Sequence, residues 1–393
     1  MSGRDALDGT GRDRDELDGT GRDGTGGDGT DRDGTGGADT GGGRAGHGRD
    51  ALDGTDRRRD RLAGPGRAPE TGHVAGIDIG GTKIAALVVD RDGVVRGRAT
   101  HAASVGDQTR AGSAIAAALD EALAAANLTR RDLDAVGVGV PGRVDPVAGH
   151  VTLAVNLGWT DFDLGGTLES ELGRPVVIEN DARAAALGLH RRRTAAGING
   201  SDLAYLAVGT GIAAGVVLDG LLHRGTRGLA GEIGHAIADP IGPRCACGQV
   251  GCLEAFASGP SIARRATAAG LEAGSAKDVY AAAAGGDPTA RELVDDVGRR
   301  LAWAVHLLVM TYDADHVVVG GGVSHAGSAF AEPIHRELER LRAVSSQAGE
   351  LLPADIVEVL PPEAEPGAWG AVAVARAIRS PDRPRGTEVV RHA

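Results

Sequence analysis

The sequence predicts an α/β fold preceded by a segment that takes no part in it, and three observations carry that prediction. From His73 onward, short β-branched runs alternate with Ala-rich windows of helical length. Two pairs of those strands are joined by glycine turns that recur about 130 residues apart. The first 72 residues, by contrast, hold 21 of the 64 glycines, 12 Arg and 16 acidic residues, and their only large aliphatics after Met1 are Leu7, Leu17, Leu52 and Leu62. So little apolar area cannot offset a backbone entropy of roughly 1–2 kcal/mol per residue.

That leader, residues 1–72, is expected to be disordered. It repeats imperfectly at a spacing of ten, from Asp8 through Asp18 to Asp28. Calcium-binding repeats use nine residues with a regular large apolar position, which is missing. A helix-turn-helix needs an apolar stripe, and a secretory signal needs a basic start and an apolar run; the segment has neither. A start codon placed too far upstream would account for it.

Strands are predicted at residues 74–79, 84–89 and 94–99, followed by a helix at 111–126. Further strands fall at 135–140 and 175–179, with a helix at 181–193. A second hairpin spans 203–208 and 213–218, and Asp219-Gly220 turns it into Leu221-Leu222. Helices near 261–269 and 289–312, a strand at 316–319, a helix near 330–342, a strand at 356–360 and a helix at 367–378 complete the chain. The longest uncharged run, residues 203–218, contains three glycines and is too short to span a bilayer. No membrane association is expected, and the cytoplasm is the default location. A net charge of −12 is a poor basis for general nucleic-acid binding, which draws on phosphate neutralisation.

The glycine turns are the first chemical signal. Asp78-Ile-Gly80-Gly81-Thr82-Lys83 and Gly209-Thr210-Gly211 place small residues where backbone N–H groups can approach an anion. Gly320-Gly321-Gly322 follows a strand in the same manner. Asp78 is suited to holding Mg²⁺, through water. Each turn alone is also an ordinary hairpin; together, in an α/β setting, they point to a nucleotide site. The second signal is the cysteines. All three lie in His235-x9-Cys245-x-Cys247-x4-Cys252. Three thiolates and an imidazole complete a closed tetrahedral shell, the pattern of a structural zinc. Three buried thiols beside an unrelated histidine, or a disulfide, are the alternatives; cysteines this few and this clustered argue against both.

These residues resemble the ROK family (repressors, open reading frames, kinases) of the actin-like ATPase superfamily. The resemblance runs from about Val74 to Ile378 and rests on DIGGTK (78–83), VGVPG (138–142), NLGW (156–159), ENDA (179–182), VGTG (208–211), GEIGH (231–235), CACGQVGCLE (245–254) with ASG (257–259), and GGG (320–322). It implies two RNase H-like domains with a cleft between them. The expected small domain is residues 73–183 plus 366–380, the large one with the zinc motif is 184–365, and 381–393 is a tail. It also implies an ATP- and Mg²⁺-dependent sugar kinase, most simply a glucokinase, working as a homodimer or homotetramer. Asp181 resembles the family's general base, although a carboxylate there would also cap the helix it opens. Asn156, Asn180, Glu232, His235 and Glu254, with Asp181, match the family's sugar ligands, and such side chains supply the paired donors and acceptors that hydroxyls need. The zinc would fix Glu232 and Glu254 relative to each other, leaving the second His235 nitrogen to face the sugar.

The chain departs from the pattern in two places. Where family kinases commonly read NDAN, position 183 is Arg, which either faces solvent or lowers the basicity of Asp181. Ala213 and Ala214 replace glycines after the second loop, and either pack as strand residues or crowd a phosphate. Kinases for mannose, allose, fructose or N-acetylated amino sugars are rivals within the enzyme class. Outside it stand a sugar-responsive transcriptional regulator, which would need the helix-turn-helix that residues 1–72 cannot build, and a sugar-binding protein without turnover.

Overall fold

A computed structural model describes residues 72–102, 107–198 and 202–377. Nearly all of the expected leader and the whole of the expected tail lie outside them, as does Ile378. The first lobe runs through β1 (His73–Ile79), β2 (Lys83–Val89), β3 (Val95–Ala102), α1 (Gln108–Ala125), β4 (Leu133–Val140), β5 (Arg143–Asp145), β6 (His150–Ala154), β7 (Trp159–Phe162), α2 (Leu164–Leu172), β8 (Val176–Asn180) and α3 (Asp181–Ala195). The second contains β9 (Leu203–Val208), β10 (Ile212–Leu218), β11 (Leu221–His223), α4 (Leu253–Ala257), α5 (Gly259–Ala268), α6 (Ala276–Ala284), α7 (Pro288–Tyr312), β12 (His316–Gly320), α8 (Ser328–Val344), α9 (Ser346–Leu351) and β13 (Val357–Val359). A last helix, α10 (Pro366–Ala377), returns to the first sheet.

The two main sheets share one topology. The first has the order β3-β2-β1-β4-β8, with the first three strands antiparallel and β4 and β8 parallel to β1. The second repeats it as β11-β10-β9-β12-β13. Both strand faces are buried, so β1 reads as a nearly continuous apolar run. Ala75, Ile77 and Ile79 face α1 and α2, while Val74 faces α10. In the second lobe α4 to α8 cover one face, and α3 lies against the other. Among the described residues no helix is long and apolar enough to cross a membrane.

Helices α3 and α10 form the middle of the molecule, and glycine sets how closely they lie. A Cβ on Gly76 would overlap the Ala368 carbonyl, and one on Gly137 would overlap that of Ala371. Where the helices cross, a Cβ on Gly188 would sit 2.6 Å from the Gly370 nitrogen. These are backbone contacts that no rotamer change relieves.

Some elements differ from the sequence expectation. Helix α1 starts at Gln108 and not at 111, because the Asp107 side chain accepts the Thr109 N–H and caps it. The three-stranded sheet β5-β6-β7 and helix α2 fill residues 143–172, where the sequence predicts no element. Helix α2 has a readable frame, with Asp163 as N-cap and Gly173 at a C-cap φ of 63°.

The glycine contacts give the first prediction. Gly137→Ala should destabilise the protein by about 1–3 kcal/mol through overpacking. Gly349→Ala, inside α9, whose nearest new contact is an ordinary 3.8 Å to the Arg342 oxygen, should instead raise stability by about 0.5–1 kcal/mol. Urea unfolding midpoints of the two variants check this.

Candidate active site

Strands β1, β4 and β8 run parallel, and their C-terminal ends lie side by side. Asp78 is opposite Gly139, and Val140 is opposite Asn180. Ligands of open α/β sheets bind at such ends. Gly139 separates the two acids: a Cβ there would be 3.6 Å from both the Asp181 Cα and the Asp78 Oδ1. On its other side Asp78 meets the start of α10, where a Cβ on Gly367 would overlap its carboxylate.

The turn from β8 into α3 is held by Asn180. Its Oδ1 accepts the Arg183 N–H at 3.1 Å, which makes it the N-cap of α3. The capping role that the sequence allowed for Asp181 therefore falls one residue earlier. The Asn180 amide also donates to the Gly142 carbonyl at 3.1 Å and to Asp181 Oδ1 at 3.0 Å. The Ala182 N–H donates to the same oxygen at 2.8 Å. Among the described residues no hydrogen bond engages Asp181 Oδ2.

Burial raises both carboxyl groups. It pushes Asp78 up to about 7, helped by the charge of Asp181 and opposed by Lys83. Burial also dominates at Asp181, outweighing the Ala182 N–H and the Arg183 charge that pull it down, and Glu232 pushes it further up. Arg183 is thus neither solvent-facing nor able to hold Asp181 acidic. Its side chain is 2% exposed, with Nε 2.9 Å from Glu179 Oε1 and Nη1 donating to the Gly228 carbonyl at 2.6 Å. Ala213 and Ala214 pair with Ala207 and Leu206 in the β9–β10 ladder and pack as strand residues.

Gly80, Gly81, Thr82 and Lys83 form the β1–β2 turn, closed by the Gly80 N–H on the Lys83 carbonyl at 2.8 Å. Gly81, Thr82 and Lys83 are exposed. Asn156, in a single helical turn at Val155–Leu157, lies beside it: a Cβ on Gly81 would be 4.0 Å from its carbonyl. The second turn, Gly209-Thr210-Gly211, is tied to α5 by the Gly259 N–H on the Gly209 carbonyl at 2.8 Å. Gly320, Gly321 and Gly322 stack against it. Gly321 has φ +104°, and its missing Cβ would strike Val208. A Cβ on Gly320 would be 2.9 Å from the buried Tyr205 hydroxyl, which explains why that turn begins with glycine. Among the described residues no hydrogen bond joins the Gly80–Lys83 turn to the Gly209–Gly211 turn.

The remaining sequence-selected residues lie between β11 and the first turn of α4. Glu232 is exposed, and His235 and Glu254 are half-buried. Glu254 Oε2 accepts the Ile212 N–H at 2.9 Å, and Oε1 is 4.0 Å from Cys245 Sγ, so this side chain joins the second glycine turn to the cysteines. His235 Nδ1 is 3.8 Å from Cys245 Sγ, and the Cys247 and Cys252 sulfurs are 3.6 Å apart. All four ligand atoms lie within 4.8 Å of one another. A tetrahedral zinc with bonds of about 2.3 Å needs sulfur separations of about 3.8 Å, so the cluster fits that ion. Burial raises Cys245 and pushes Cys252 up to about 12, while the Gln249 backbone lowers Cys247. Nδ1 faces the thiols, which leaves Nε2 for another partner.

Sequence reasoning missed Gly139, Gly367 and Tyr205 as parts of the site. Gly139 stood inside the VGVPG run and Gly367 at the first position of a helix window, but nothing in either marks a neighbouring carboxylate.

A duplicated sheet topology, with glycine turns and two half-buried acids at the strand ends, defines a two-lobed α/β protein of the actin and hexokinase type. Residues 74–377 match the ROK family model, and the chain belongs to the ROK family. It is 35% identical over 286 residues to a glucokinase of Halalkalibacterium halodurans, covering 67% of this chain and 84% of that protein. It is 33% identical over 282 residues to a putative xylose repressor of Caldicellulosiruptor sp., covering 67% and 69%. Among solved structures, a ROK family glucokinase from Streptomyces griseus in complex with glucose and AMPPNP superposes with a TM-score of 0.66 at 33% identity, covering 78% of this chain and 100% of that one.

Proposed function

We propose that this protein phosphorylates a hexose from ATP, with glucose as the first substrate to test and Asp181 as the general base. One observation carries the reading: Asp181 Oδ1 is held by neutral donors, Oδ2 has no hydrogen-bond partner among the described residues, and burial keeps the group more basic than an ordinary carboxylate. Asn156, Asn180, Glu232, His235 and Glu254 would hold the sugar hydroxyls, and Oδ2 would accept the proton of the one that attacks. Gly80, Gly81, Thr82 and Lys83 would meet the phosphates, with Gly209, Thr210, Gly211, Gly320, Gly321 and Gly322 on the nucleotide. Mg²⁺, held near Asp78, supplies charge neutralisation at the transferred phosphoryl group when bound. The glucokinase relatives support this reading. The xylose repressor relative supports sugar-responsive binding without turnover as a second one.

A coupled assay over a panel of hexoses, with ATP or polyphosphate as donor, decides between them. Turnover on a hexose is expected; binding without turnover on any sugar would favour the second reading. Asp181→Asn should lower kcat by about 10²–10⁴-fold and leave sugar affinity nearly unchanged.

The pH dependence follows from the two raised carboxyl groups. Raised carboxyl values mean that the folded protein binds more protons than the unfolded chain, so rising pH costs stability while it ionises the base. The acid limb of kcat/KM should therefore fall between about pH 7, the value for Asp78, and 3.8, the ordinary aspartate value. It belongs to the Asp78–Asp181 pair and to neither residue alone. A profile flat down to pH 4 would contradict it.

The zinc reading predicts one zinc per chain in elemental analysis, bound by His235, Cys245, Cys247 and Cys252. Stripping it with a chelator should abolish turnover, because the cluster holds His235 and Glu254 in place. Full activity in a zinc-free preparation would refute the role.

A further inference from the structure

Glu179, one residue before the end of β8, has its side chain fully buried. A lone carboxylate there would be costly, and it is held from two directions. Arg183 Nε donates to Oε1 at 2.9 Å, and Arg224 Nε donates to Oε2 at 2.6 Å. The Asn180 N–H adds 2.9 Å to Oε1. Arg183 then reaches on to the Gly228 carbonyl, while its Nη2 is buried without a partner. Replacing such a cluster by apolar side chains is often neutral or stabilising, so stability is a weak reason for its presence. Its geometry supplies another. Arg224 and Gly228 belong to the segment that leads into Glu232, and that segment's far end is tied to β10 by the Ala214 N–H on the Gly231 carbonyl at 2.7 Å. Glu179 and Arg183 flank Asn180 and Asp181.

We propose that Arg183 and Arg224 are positioning residues that clamp segment 224–232 onto turn 179–183 through Glu179, so that Glu232 and Asp181 address one substrate at a fixed separation. The clamp deepens the sugar-kinase reading and rests on it. It also gives the family departure at position 183 a purpose: the guanidinium spans from the base's own turn to the sugar segment.

Two variants test it, each leaving Glu179 one arginine: Arg224→Met at a half-exposed position, and Arg183→Asn, the residue common in family kinases. Calorimetry with D-glucose should show each weakening sugar binding about tenfold, with AMPPNP affinity unchanged within about twofold. Arg224→Lys, which keeps the charge, should recover most of the loss. Hydrogen exchange of amides 225–231 should quicken in both neutral variants. Unchanged sugar affinity, or equal loss for sugar and nucleotide, would overturn the clamp. If the wild-type protein binds and phosphorylates no hexose, the kinase reading falls; unchanged exchange at 225–231 would then overturn the clamp separately.

Discussion

The crossing of α3 and α10 at Gly188 and Gly370 is the contact on which the site depends. Both helices begin at the site: α3 opens with Asp181, and Gly367 in the first turn of α10 lies against the Asp78 carboxylate. Fixing where the two helices touch also fixes where their first turns lie. Glycine inside a helix costs roughly 0.5–1 kcal/mol relative to alanine. A methyl at either position would push two backbones apart and carry the acids with them, which is the larger penalty. The same close approach continues onto the first sheet at Gly76 and Gly137, so the strand ends and helix starts form one rigid set.

Within that set the charges are sorted by distance from Asp181, the proposed base. An arginine paired directly with Asp181 would lower its pKa by about 1–3 units and weaken it as a proton acceptor. Arg183 is only two residues away, yet its Nε donates to Glu179 and its Nη1 to the Gly228 carbonyl. Asp181 is oriented by an amide side chain and a backbone N–H, neither of which carries a net charge. Orientation and basicity are thereby obtained from different groups. Glu179 makes this possible by engaging the cation that would otherwise pair with Asp181.

How much of this could be read beforehand depended on how local each cause was. The glycine turns, the two recurring hairpins and the Cys/His cluster were legible because strand periodicity, turn chemistry and ligand spacing are written within a few residues. The direction of Arg183 was not legible. It is set by Glu179 across a strand–helix junction and by Gly228 some 45 residues later. The cap of α3 was misplaced by one residue because Asn180 and Asp181 are equally good caps in sequence, and only the pairing of Val140 with Asn180 makes Asn180 the last strand residue. The sheet at residues 143–162 escaped because its strands are three to five residues long, too short for alternation to show. Gly76, Gly137 and Gly370 look like weak points in their elements until the opposing backbone is known.

The composition then acquires a physical meaning. Aromatic residues make up 2% of the chain, and the central helices bury mostly alanine, glycine and valine. Such surfaces remove little apolar area from water, and at about 25 cal/mol per Å² they contribute little to stability. The larger aliphatics lie elsewhere: Ile115, Leu119 and Leu123 on α1, and Leu301, Val305 and Leu308 on α7, cover the outer faces of the two sheets. The outer layers therefore supply most of the hydrophobic stabilisation, and the inner layer, built of small residues in backbone contact, sets distances. Small-residue contact suits that task because it leaves no rotamers to adjust. An error there of the size of one methyl group would displace Asp78 and Asp181 directly, whereas the same error in α1 or α7 would have to pass through a sheet first.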